Sequence, residues 1–162
     1  MSDEQNRPRI TRQDVGSWLS GPSSVLPSTQ QWRGERLGLP EDGSGSLAGW
    51  GRRLLALMID WFAAVLLVRL FVPGVAYGTA ASGLVTLGFF FAELSLFTWL
   101  TAASFGQRIC GLAVVRLDGQ PVGLVRSILR SAQVCLLIPA LIWDRDGRGL
   151  HDRSIGTVLV RR

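Results

Sequence analysis

The sequence predicts an all-α membrane protein that also carries a small extramembrane β-hairpin and a C-terminal strand. Two apolar stretches, residues 50–72 and 79–105, are each long enough to cross a bilayer, which takes roughly 20 residues of helix. Hydrophobic residues make up 48% of the 162-residue chain and the mean hydropathy is +0.28, values typical of integral membrane proteins. A third segment, residues 122–143, is predicted to be an amphipathic or re-entrant helix, or a third spanning helix.

The first stretch, Trp50–Val72, holds one ionisable side chain near its centre, Asp60. An ionisable group at mid-helix costs at least about 2.5 kcal/mol on insertion scales, so the fold must supply a partner for it. In one interpretation Asp60 binds a cation or a proton in the inner half of the membrane, where transporters place such groups. In the other it forms a structural ion pair with Arg53, Arg126 or Arg130.

The second stretch, Thr79–Phe105, follows a short uncharged turn and has Glu93 as its one charged residue. A helix of this length crosses the hydrocarbon with some tilt. We expect Glu93 to be protonated there and hydrogen-bonded to a neighbouring helix.

Residues 106–121 differ in character from the apolar stretches. Leu112–Leu117 is rich in β-branched residues, and the Asp118-Gly119 dipeptide that follows is a two-residue hairpin turn signal. A small strand-turn-strand unit outside the membrane is therefore predicted. Thr157–Val160 also has strand composition, and it is expected to pair with Leu112–Leu117 if both lie on the same side of the membrane.

The third segment, Val122–Trp143, leaves two arrangements open. Arg126 and Arg130 are four residues apart and place positive charge on one helix face, opposite an apolar face, which favours an interfacial helix. The second half of the segment contains Pro139 and is too short to span alone, although both halves together are just long enough.

The arginine distribution predicts the topology. All 17 basic residues are arginines and the net charge is +5. With two crossings and a cytoplasmic N-terminus, nearly all of them lie inside, as the positive-inside rule requires, in a multi-pass protein of the plasma membrane. The expected partner is the bilayer with its anionic inner-leaflet lipids, and not nucleic acid. Residues 1–46 are polar and broken by four prolines, which predicts a disordered leader ahead of a membrane domain over residues 47–162.

The side chains that usually carry catalysis or bind metals are sparse. Cys110 and Cys135 form no CxxC motif, so neither a metal site nor a disulfide is predicted. His151 and Asp152 are adjacent, but no nucleophile with triad spacing accompanies the single histidine. Asp152 is expected to cap a turn or to pair with an arginine. We therefore predict no enzymatic activity, no cofactor and no metal.

Several ordered motifs give the chain its resemblance to a known family. They are GRRLLALMID, with Arg53 and Asp60; SFGQRICGLAVVRLDGQPV; the pair Arg126 and Arg130; and GLHDRSIGTVLV, with Asp152. Over residues 49–160 the chain resembles the RDD family of bacterial membrane proteins, which is named for one arginine and two aspartates. The resemblance is to the actinobacterial type, and the long leader lies outside it. The resemblance implies a membrane fold and a charged constellation of Arg53, Asp60 and Asp152, and it suggests transport of unidentified ligands.

Two functions are carried forward from the sequence. The first is a component for transport of an ion or small ligand, which needs a homo-oligomer because two or three helices cannot enclose a pathway alone. The second is a non-catalytic membrane scaffold or accessory protein that binds partners on the cytoplasmic side. The expected contacts to an ion or ligand, or alternatively the members of ion pairs, are Glu93, Arg126, Arg130 and His151.

Overall fold

The computed structural model describes residues 31–136 and 148–162, so residues 1–30 of the predicted leader and the end of the third segment lie outside the described residues. A 3-10 turn at Glu35–Leu37 precedes the main elements. These are α1 (Trp50–Phe71), α2 (Ala80–Thr101), α3 (Phe105–Ile109), β1 (Leu112–Arg116), α4 (Leu124–Cys135), α5 (Leu150–Ser154) and β2 (Thr157–Arg161).

Helices α1 and α2 are the two candidate membrane spans. Each has 22 residues, and their most apolar windows have mean hydropathies of 2.2 and 1.6. At 1.5 Å per residue each is about 33 Å long, which matches a hydrocarbon core of about 30 Å. The helices pack against each other, and their outward faces are strongly apolar: Phe62, Leu66 and Leu84 are all more than 60% exposed. Exposure of large apolar side chains on this scale suits contact with lipid.

The second span is shorter than predicted. It ends at Thr101 and does not reach Phe105, because Ala102 adopts a left-handed backbone conformation with φ of 55° and reverses the chain. Helix α3 starts three residues later and packs against α1. Ser104 and Gln107 form a capping box at its start, and this local signal overrides the apolar run.

The predicted hairpin at Asp118-Gly119 is wrong, and the alternative pairing is confirmed. Strand β1 pairs in antiparallel fashion with β2, with Leu112 opposite Arg161 and Arg116 opposite Thr157. The chain does turn after β1, but it then enters helix α4 instead of a second strand. The apolar residues of β2 complete the sheet, since Val158 and Leu159 are almost fully buried.

The sheet is covered on both faces. One face packs against the beginning of α1, where Ala56 joins Leu112, Val114 and Leu159 in a buried cluster. The other face is covered by Leu37, Leu39 and Leu47. Leu37 and Leu39 belong to the predicted disordered leader, so the last residues of that leader are ordered here because the sheet offers them an apolar surface.

Helix α4 is amphipathic, as predicted, and the structure shows which of its two faces is buried. The cationic face turns toward the protein, because Arg130 is only 2% exposed and Arg126 is half-buried. The residues that point outward are apolar: Leu124, Val125, Ile128, Leu129 and Leu136. Ser127 and Ser131 are fully buried instead, on a helix that packs against α2. At 12 residues α4 is about 18 Å long, which is too short to span a bilayer.

Candidate functional site

Arg53 attaches the start of α1 to the sheet. Its Nε donates to the carbonyl of Ala48 at 2.9 Å, and its Nη2 donates to the carbonyl of Leu159 in β2 at 3.4 Å. Its charge also stabilises the ionised carboxylate of Asp152. Arg53 therefore links the first span, the sheet and the last helix.

Asp60 is buried in α1 and receives two hydrogen bonds from the start of α3. Ser104 Oγ donates to its Oδ2 at 2.6 Å, and the amide of Gly106 donates to its Oδ1. Residue 106 must be glycine, because a Cβ atom there would lie 2.1 Å from the carbonyl oxygen of Ala56 and 2.8 Å from Asp60 Oδ1. This close approach brings the amide within reach of the carboxylate.

Glu93 reaches the same short helix from α2. Its Oε1 accepts from the amide of Phe105 at 2.7 Å, and the side chain is only 7% exposed. Its second carboxyl oxygen, Oε2, is buried and has no hydrogen-bond partner in the part of the chain that the structure describes. The carboxyl is therefore held through Oε1, while no described residue donates to Oε2.

The acids of the two spans thus converge on the N-terminus of α3. The amides of Phe105 and Gly106 bond to Glu93 and Asp60, and those of Ser104 and Gln107 bond to each other's side chains. Free amides at a helix N-terminus favour negatively charged acceptors. The four otherwise unpaired donors are all satisfied, and the two membrane helices are attached to α3.

This arrangement corrects the ion-pair interpretation of Asp60. Its hydrogen bonds come from Ser104 and Gly106, not from a guanidinium. The positive charge of Arg130 attracts the Asp60 carboxylate, but Nε of Arg130 donates its hydrogen bond to Asp152. The chain reversal at Ala102 folds Ser104 back onto α1, and this places a hydroxyl and an amide within hydrogen-bonding distance of Asp60.

Asp152 forms the buried ion pair. Its Oδ1 lies 2.8 Å from Arg130 Nε, and both side chains are at most 2% exposed. Burial alone would raise the pKa of Asp152, but the charges of Arg130, His151 and Arg53 and the hydrogen bond from Arg130 lower that pKa to about 2. Thr157 Oγ1 adds a bond of 3.3 Å to the same oxygen. Of the two expectations for Asp152, the structure forms the pair with an arginine.

The fold places the remaining predicted residues, His151 and Arg126, in different parts of the molecule. His151 belongs to the Asp152 group, with Nε2 3.5 Å from Asp152 Oδ2, and its ring lies so close to Gly149 that a Cβ there would meet it at 2.4 Å. Arg126 lies apart from this group, near Asp118. Within residues 31–136 and 148–162 no cluster of three metal-ligating side chains occurs.

Sequence reasoning missed Ser104, Gly106 and Gln107. Their signal was present, because a serine followed three residues later by glutamine marks a capped helix start. The apolar run that leads into Ser104 predicts instead that this stretch is the end of the second span. That this helix start faces Asp60, 44 residues earlier in the sequence, is a tertiary contact that no local pattern contains.

Comparison with known protein families gives a match over most of the chain. The model of the RDD family matches residues 47–156, which covers α1 to α5 and thus both groups of charged residues. No curated protein and no solved structure matches the chain.

Proposed function

The chain belongs to the RDD family, and on that premise we propose that it is a non-catalytic membrane transport component in which Glu93 and Asp60 take up a proton or small cation. The observation that carries the proposal is the buried Oε2 of Glu93, which no described residue donates to. A buried carboxyl oxygen without a donor is costly when ionised, so binding a positive charge there is favourable.

Asp60 supports this role because of its position. Its charge interacts unfavourably with that of Glu93, and the two acids are attached to the same helix. Two neighbouring carboxylates favour the uptake of one shared positive charge. Arg130, whose charge acts on Asp60, donates its hydrogen bond to Asp152, so among the described residues no arginine is hydrogen-bonded to Asp60 or Glu93.

The proposed topology places the acids in the inner half of a plasma membrane, with the N-terminus cytoplasmic. The chain between α1 and α2 carries no charge, whereas arginines are frequent around the sheet, where anionic inner-leaflet lipids attract them. The outward apolar face of α4 favours insertion of this helix into the inner leaflet. Since two spans cannot enclose a pathway, we propose a homo-oligomer, and no role in binding nucleic acid.

Flux in reconstituted vesicles tests the proposal. The wild-type protein should dissipate a proton or sodium gradient, and Glu93→Gln should reduce the rate at least about tenfold, because the amide cannot take up the charge. Glu41→Gln, at an exposed carboxylate outside the spans, is the control and should keep the wild-type rate. Absence of flux with both ions, or equal rates for wild type and Glu93→Gln, would reject transport by this pair.

The second candidate is a membrane scaffold, and a specific observation favours it. Asp60, Arg130 and Asp152 all hold elements together, since their bonds join α1 to α3 and α4 to α5. In this case the polar groups are structural, and the cytoplasmic sheet with the ordered residues before it binds partners. A scaffold predicts no flux in any variant, together with loss of folding on substitution of Asp60.

A further inference from the structure

We propose that the pocket between α1, α2 and the end of α4 binds one acyl chain of a membrane phospholipid. The pocket has a volume of about 320 Å³. Each of the three helices contributes to its wall, with Leu57 and Met58 from α1, Leu87 and Phe90 from α2, and Val134 and Cys135 from α4. This site does not involve Glu93 or Asp60 and is independent of any transport activity.

The pocket opens at the surface of the protein, so either water or an apolar molecule must fill it. Its volume of about 320 Å³ is far larger than the space that a single water needs. The described side chains that line it are apolar, apart from the thiol of Cys135 and the indole N–H of Trp61, and so offer water few hydrogen bonds. An apolar occupant is therefore favoured over water.

The position of the pocket identifies the occupant. Met58 and Phe62 on its wall are 55% and 64% exposed, on the outward face of a candidate membrane span. Helix α4 forms the opposite wall and also turns apolar residues outward, while its serines and Arg130 are buried. The opening is thus continuous with the lipid-facing surface, where the available apolar molecules are acyl chains.

The packing of α4 also explains why the pocket exists. Its buried face is polar and small, with Ser127 and Ser131 at one-turn spacing, which permits close packing against α2. Among the described residues, α4 packs much less extensively against α1 than against α2. A cleft therefore remains between α1 and the end of α4. A flexible acyl chain can fill this cleft because it adapts to the shape of the walls.

Photo-crosslinking tests the proposal with the full protein in phosphatidylcholine vesicles. The probe is a phosphatidylcholine that carries a diazirine near the end of one acyl chain, and the labelled residues are mapped by peptide mass spectrometry. Labelling should concentrate on the pocket residues. Met58→Trp, which fills the opening, should reduce it at least about fivefold, whereas Leu55→Trp should not; Leu55 is 54% exposed on the same helix and does not line the pocket.

A second pair of variants guards against altered folding of Met58→Trp. Leu87→Trp fills the pocket from α2, and Leu84→Trp adds the same bulk on the exposed side of that helix. The proposal is overturned if labelling spreads evenly over the outward faces and is equal in all four variants. It is also overturned if the pocket variants change the oligomeric state of the protein without changing lipid labelling, because a second copy of the chain is then the occupant.

Discussion

Two buried aspartates of this protein are stabilised in different ways, and the difference separates a structural group from a candidate binding group. Asp152 is bonded to the guanidinium of Arg130 and lies near two further basic side chains. Asp60 accepts from an amide and a hydroxyl, which are neutral. An ion pair cancels the charge of the carboxylate, whereas neutral donors hold its position and leave its charge in place. This difference is why we propose Asp60, together with Glu93, as the pair that takes up a positive charge.

The comparison predicts that Asp152→Asn is the most destabilising of the substitutions considered for stability. It leaves Arg130 buried without its counter-ion, which typically costs about 3 to 5 kcal/mol. The free energy of unfolding in detergent, measured by denaturant titration, tests this. Asp118→Asn is the control, because Asp118 is half exposed in its pair with Arg116, and pairs at the surface contribute at most about 1 kcal/mol. Equal losses of unfolding free energy for the two substitutions would show that the buried pair contributes no more to stability than the Arg116–Asp118 pair does.

Gly106→Ala should weaken the hydrogen bonding of Asp60, the second of the two buried aspartates. The added Cβ meets the carbonyl oxygen of Ala56 at 2.1 Å, so α3 must shift and the amide bond to Asp60 weakens. We expect a loss of about 2 to 3 kcal/mol from overpacking and the weakened bond. Gly88→Ala, where a Cβ meets nothing within 4 Å, should be neutral or slightly stabilising. An unchanged unfolding free energy for Gly106→Ala would mean that α3 does not hold Asp60 as described.

Acid titration should reveal how much the Arg130–Asp152 ion pair contributes to stability. The pKa of Asp152 is about 2 in the folded protein, below its ordinary value of 3.8. Its contribution to stability is therefore complete above pH 3.8 and is lost as the pH falls toward 2, by roughly 2 kcal/mol in all. The unfolding midpoint, followed from pH 5 to pH 2, should fall less steeply in Asp152→Asn than in wild type. Parallel curves would contradict the lowered pKa.

The sequence by itself determined the features that depend on local composition. The two spans follow from apolar runs of sufficient length, the two strands from short β-branched segments, and the family from motifs along residues 47–156. Each of these signals lies within a single stretch of chain. A bilayer imposes the same length and polarity on any helix that crosses it, so such segments can be recognised without their neighbours.

Only the tertiary structure decided which polar groups meet. The partner of Asp60 is 44 residues away at Ser104, and the partner of Arg130 is 22 residues away at Asp152. The same applies to α4, whose periodicity showed two faces but not which one is buried. In water the apolar face would turn inward. Here Arg130 turns inward, where it meets Asp152, while apolar side chains lose nothing by facing lipid.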